Sequence, residues 1–154
     1  MDNKILNYLE AICAKREYCS SDIRQKAFKK TEGDAALADE LVRRLTEEGF
    51  IDNRRYASAF AREKSALTGW GPVKIRFALK AKKIDSQIID SALQEIDSQR
   101  ASSKLERILE AKAGSLEGDP QKKYKLIRFA LSRGYEYSDV ESAVNRVLDG
   151  GSAR

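Results

Sequence analysis

Apolar residues recur along this chain at intervals of three and four. The run Ile5, Tyr8, Leu9, Ile12 is followed by Leu37, Leu41, Val42, Leu45 and by Tyr56, Ala59, Phe60. Further on come Ile89, Ala92, Leu93, Ile96, then Leu105, Ile108, Leu109, then Val140, Ala143, Val144, Val147. This spacing puts one apolar stripe on each of a series of helices, and no segment alternates with period two. The pattern predicts an all-α chain. Glycines fall between the runs, and the two prolines, Pro72 and Pro120, stand where a helix can begin. Ser138 with Glu141 reads as a capping box, and Ser86 and Asp52 are the expected caps of two other helices.

The helices repeat. Ile23-Arg24, Ile75-Arg76 and Ile127-Arg128 share a dipeptide every 52 residues, and Ile75-Arg76-Phe77-Ala78-Leu79 is repeated as Ile127-Arg128-Phe129-Ala130-Leu131. The helices that follow align at a spacing of 51, with Asp39, Asp90 and Glu141 in equivalent places. The chain therefore reads as three tandem three-helix repeats, at 1–51, 52–98 and 99–149, with 150–154 a fraying tail. Helix-turn-helix-like units this small bury their remaining apolar faces by stacking, which predicts an elongated, curved array. The repeated arginines admit two readings. Arg24, Arg76 and Arg128 either pair with Asp39, Asp90 and Glu141 of their own repeats, or line one face and contact a polymeric partner.

Composition narrows the chemistry. The chain has 154 residues, 42% hydrophobic and 34% charged. No apolar run approaches the ~20 residues that cross a bilayer, and the N-terminus lacks a signal peptide's pattern. The expected compartment is the cytoplasm, with no membrane partner. Histidine is absent, which excludes imidazole catalysis and His-liganded zinc. Cys13 and Cys19 are too few for a four-sulfur zinc site and read as small residues near a helix junction. No phosphate-cradling glycine loop or marked carboxylate pair is present, so the chain is expected to be no enzyme and to hold no cofactor or metal.

Charge is distributed unevenly. Residues 1–51 carry 9 basic and 10 acidic side chains, residues 86–154 carry 11 of each, and residues 52–85 carry 9 basic against 3 acidic. The excess thus sits in the middle repeat, where it attracts phosphates or an acidic protein surface. On the helix from Pro72, Arg76, Lys80 and Lys83 fall within about 60° of one another with no acid between Pro72 and Lys83. Before it, Gly69-Trp70-Gly71 holds the only tryptophan. Trp70 either anchors an interface or plugs the space between the first two repeats.

The stretch Glu48-Gly49-Phe50-Ile51-Asp52-Asn53-Arg54-Arg55-Tyr56-Ala57, followed by Gly71-Pro72-Val73-Lys74-Ile75-Arg76 and the basic run to Lys83-Ile84, resembles the central signature of the RecX regulatory proteins. Lys83 stands where that signature has glycine. Arg16-Glu17-Tyr18-Cys19-Ser20-Ser21-Asp22-Ile23 and Ser132-Arg133-Gly134-Tyr135 resemble flanking stretches of the same family. The resemblance implies three tandem three-helix units and a non-enzymatic role. Its implied partner is the RecA recombinase filament on single-stranded DNA, whose ATPase, strand-exchange and co-protease activities such proteins usually lower. The expected contacts are Trp70, Lys74, Arg76, Lys80, Lys83 and Arg133, in a protein acting as a monomer. The competing expectation is a direct DNA-binding protein with no recombinase partner, its basic helix entering a groove.

Overall fold

The computed structural model describes residues 3–153, with side chains through residue 150. It is all-α among the described residues. The helices are α1 (Asn3–Lys15), α2 (Ser20–Lys30), α3 (Ala35–Glu47), α4 (Asn53–Glu63), α5 (Pro72–Ala81), α6 (Ser86–Gln94), α7 (Ser98–Ser115), α8 (Lys122–Ser132) and α9 (Tyr137–Ala153). A π-helical turn, Lys64–Thr68, continues α4 and ends at Gly69. No described helix is long and apolar enough to cross a membrane.

The second helix of each repeat ends in the same device. Glu32, Lys83 and Gly134, spaced by 51 residues, all adopt the left-handed conformation, with φ of 57°, 62° and 91°. After α5, the Lys83 N–H donates to the Lys80 carbonyl at 2.9 Å and the Ile84 N–H to the Leu79 carbonyl at 3.3 Å. This is a Schellman ending, with buried Ile84 as the apolar residue that follows it. Lys83, which stands where the resemblance expects glycine, therefore takes a left-handed turn itself. Its Cβ costs roughly 1–2 kcal/mol in that conformation.

The chain divides into two compact units. One comprises Met1–Ala59 with Leu79–Ala92, the other Phe60–Ala78 with Leu93–Arg154. In the first, Leu6, Leu9, Ile23, Ala27, Ala38, Leu41, Leu45 and Ile51 form one core. Asp52 caps α4, accepting from the Arg54 and Arg55 N–H groups at 2.9 and 3.1 Å. Arg55 joins Glu17 at 2.5 Å and donates to the Gly49 carbonyl at 3.1 Å, so this arginine of the signature links the segment after α1 to the turn before α4. Cys19 is buried and Cys13 half-buried, with no disulfide between them, and burial pushes the Cys13 thiol up.

In the second unit, Leu105, Leu109, Leu126, Ala130, Tyr135, Val140, Ala143 and Val144 form the core. Here α8 departs from the repeat. Ile75 and Leu79 are buried on α5, but the equivalent Leu131 on α8 is 40% exposed and Leu126 and Ala130 are buried instead. A shift of one residue turns the buried face by about 100°. The repeated arginine follows that turn. Arg24 pairs with Asp39 at 2.7 Å, but Arg128 lies over the Tyr124 ring and the expected Arg128–Glu141 pair is not formed. Glu141 instead accepts from the Tyr137 hydroxyl at 3.3 Å.

Three helix starts also differ from expectation. Asp85, not Ser86, caps α6, accepting from the Gln87 N–H at 3.1 Å. Ser138 lies inside α9, which begins at Tyr137, so the expected capping box is absent. Pro120 sits in the turn before α8, two residues short of its start. Helix α9 continues through Gly150 to Ala153, and Arg154 of the expected tail lies outside the described residues.

Candidate partner-binding surface

Trp70 follows the π-helical turn, its N–H donating to the Lys64 carbonyl at 2.9 Å. The ring is half-buried. It meets Phe60 edge-on, with centroids 6.2 Å apart, and the ammonium groups of Lys64 and Lys74 stand 4.9 and 4.6 Å from its centroid. Such cation–π contacts contribute roughly 0.5–1 kcal/mol at exposed sites and hold both lysines beside the ring.

The loop carrying Trp70 is fastened to the loop carrying Arg133. The Gly71 N–H donates to the Arg133 carbonyl at 2.7 Å and the Val73 N–H to the Gly134 carbonyl at 2.8 Å. Both glycines are required by closeness. A Cβ on Gly71 would stand 2.6 Å from the Tyr135 nitrogen, and one on Gly134 would stand 2.6 Å from the Lys74 nitrogen. The Tyr135 hydroxyl donates to the Gly69 carbonyl at 3.0 Å, and burial raises its pKa. The Arg133 guanidinium lies over Phe129, 5.1 Å from its centroid, and donates to the Thr68 carbonyl at 3.3 Å. Trp70 and Arg133, with Lys74 in the first turn of α5, thus gather at one cross-linked pair of loops in the second unit.

The other expected contacts lie elsewhere. Lys80 and Lys83 are exposed at the end of α5, within the first unit. Between them Lys82 is engaged, donating to Asp22 at 2.8 Å, and that bond raises its pKa. Arg76 is half-buried and has an interaction within the protein.

Charge counting overlooked a second group of cations. Arg62, Arg100, Lys104 and Arg107 line an open groove of about 640 Å³ in the second unit. The signal was present in the sequence, since Arg100, Lys104 and Arg107 have the same i, i+4, i+7 spacing as Arg76, Lys80 and Lys83. No group of three or more metal-ligating side chains occurs among the described residues.

Residues 52–93 match the family model described as RecX, second three-helix domain, and residues 102–144 match that of the third three-helix domain. A regulatory protein RecX from Chlorobaculum tepidum is 30% identical over 97% of this chain and 91% of its own length. The chain belongs to the RecX family. A second relative, regulatory protein RecX of Clostridium tetani, is 35% identical over 75% of this chain. That match spans about half of the relative's length, 54%. The crystal structure of RecX from Lactobacillus salivarius superposes with a TM-score of 0.81 at 19% identity, covering 94% of this chain and 95% of that one. That likeness extends the shared tandem three-helix fold over nearly all the chain. The family is one of regulatory proteins.

Proposed function

We propose that this RecX-family chain binds the RecA recombinase filament on single-stranded DNA and lowers its ATPase, strand-exchange and co-protease activities. The observation that carries this reading is the family match, sustained along 97% of the chain in the Chlorobaculum tepidum relative. The contacts are Trp70, Lys74, Arg76, Lys80, Lys83 and Arg133. The protein acts in the cytoplasm as a monomer of three units, 1–51, 52–98 and 99–149, and catalyses no reaction. Several features support this assignment of roles. Lys80 and Lys83 are exposed at the end of α5, a helix that contains no acidic residue, and a loop joint holds Trp70 and Lys74. Regulation by binding needs complementarity to a partner and no reactive group.

Reversing two of the exposed charges tests this reading. The double variant Lys80→Glu/Lys83→Glu is expected to need at least about tenfold more protein for equal inhibition of the recombinase, because like charges placed across an interface repel. Its far-UV circular dichroism should not change, since exposed charges contribute little to stability. Undiminished inhibition by the folded variant would remove these lysines from the interface.

A further inference from the structure

A second cavity, of about 430 Å³, lies wholly within the second unit. Ser98, Ala101, Ser102 and Leu105 recur on α7 at i, i+3, i+4 and i+7, so one face of that helix forms a wall. Asp139, Ser142 and Arg146 on α9, at i, i+3 and i+7, form another. Trp70, Pro72, Leu93 and Ile96 close the remaining sides. The space exists because serine and alanine stand on the α7 face where a packed core would carry larger side chains.

The cavity has an apolar depth and a polar mouth. Leu105 and Tyr135 are buried, whereas Ser98, Ser102, Asp139 and Ser142 are exposed. Tyr135 offers its ring alone, since its hydroxyl already donates to the Gly69 carbonyl at 3.0 Å. The Arg146 Nε donates to Glu106 at 2.5 Å, so the charge of that arginine is compensated. The Asp139 carboxylate has no side-chain partner among the described residues, and neither have the hydroxyls of Ser98, Ser102 and Ser142. Asp139 is thus the lining charge without a counter-ion among the described residues. Lys64 and Lys74 stand against the Trp70 ring and do not line the cavity.

These features select a ligand. Apolar walls with a few convergent polar groups, in a volume of about 300–1,000 Å³, suit a small organic molecule. The depth takes an aromatic or aliphatic body. A free carboxylate at the mouth selects a cationic head, and serine oxygens accept its remaining protons. A phosphate or carboxylate head would stand against Asp139 and be rejected. From Ser98 to Leu105, α7 rises about 10.5 Å, which is about the length of a phenyl ring carrying a four-carbon chain.

We propose that this cavity binds a small primary amine with an apolar body, its ring between Leu93, Leu105 and Trp70 and its ammonium at Asp139. Titration of the full chain with 4-phenylbutylamine, which is protonated at neutral pH, tests it through the fluorescence of Trp70, the sole tryptophan. Binding should saturate with a dissociation constant on the order of 0.1–1 mM, as expected for so small a ligand. The anion 4-phenylbutyrate should bind at least about tenfold more weakly. Asp139→Asn should cost the amine at least about tenfold and leave it no tighter than the uncharged 4-phenylbutanol. Ser102→Leu, which fills the mouth from an exposed position, should abolish binding while far-UV circular dichroism stays unchanged. The proposal is overturned by the absence of a saturable response below about 10 mM, by a carboxylate that binds as tightly as the amine, or by wild-type affinity in Asp139→Asn. A folded Ser102→Leu protein that still binds overturns it too. If Ser102→Leu fails to fold, the Asp139→Asn result decides alone. The assay contains no recombinase and no DNA, so its failure leaves the filament reading intact.

Discussion

Replacing Gly134 by alanine should break the joint that positions Trp70 and Lys74. Two costs combine. At φ of 91° a Cβ meets its own backbone, which costs roughly 1–2 kcal/mol. The same Cβ would lie 2.6 Å from the Lys74 nitrogen and 2.9 Å from its Cα. These are backbone atoms that no rotamer change can remove. Relief requires the loops to part, weakening the bonds from Gly71 and Val73 to the Arg133 and Gly134 carbonyls. Each bond contributes about 1 kcal/mol. The expected loss is about 3–4 kcal/mol, a large share of the roughly 5–15 kcal/mol that holds a domain folded. Urea unfolding followed by circular dichroism and by the fluorescence of the sole tryptophan should register it, and a thermal melt should show Tm lower by about 10 °C. Gly71→Ala should cost less, because φ at Gly71 is not positive and only the steric part applies. The double variant should cost less than the sum, because both glycines serve one joint. A Gly134→Ala protein within about 1 kcal/mol of wild type would refute the claim that this close approach holds the loops.

Two further outcomes follow from the turn after α5 and from buried ionisable groups. Lys83→Gly should stabilise the protein by about 0.5–1 kcal/mol in urea unfolding, since glycine adopts the left-handed turn without a Cβ and offsets this only by its freer unfolded state; a loss of stability would contradict the strain assigned to Lys83. Alkaline pH should destabilise the fold, because burial raises the Tyr56 and Tyr135 pKa values above 10.0 and the bond to Asp22 raises that of Lys82 above 10.5. A folded pKa above the unfolded one gives stability that is complete below pH 10 and lost as pH rises through the folded values. Urea midpoints that stay constant as pH climbs past 10 would contradict this.

The sequence made much of this fold legible because apolar period and burial coincide. Leu41, Leu45, Ile89, Val140 and Val144 all follow from spacing, and all are fully buried. Spacing fails where it is degenerate. On α8, Leu126 with Ala130 and Ile127 with Leu131 are both apolar pairs at i, i+4, so the stripe cannot show which pair faces inward. Once it turned, Arg128 lost its reach to Glu141. The π-helical turn leaves no trace in the composition of Lys64-Ser65-Ala66-Leu67-Thr68, whose last two residues read as the start of the Trp70 loop. At Ser86 an acid stands one residue earlier and takes the capping role, which residue type alone does not decide. The candidate surface divided in the same way. The cations of the middle stretch stood out by count. Arg100, Lys104 and Arg107 were averaged against the carboxylates of residues 86–154, and only the structure shows that no side chain forms an ion pair with them.

Hydrolysis of ATP by the RecA recombinase of the same organism on single-stranded DNA, titrated with this protein, tests the central claim most directly. The account predicts inhibition at substoichiometric protein, well below the concentration that coats the DNA. Inhibition that begins only once the DNA is saturated would contradict it and leave a direct DNA-binding protein of the same fold.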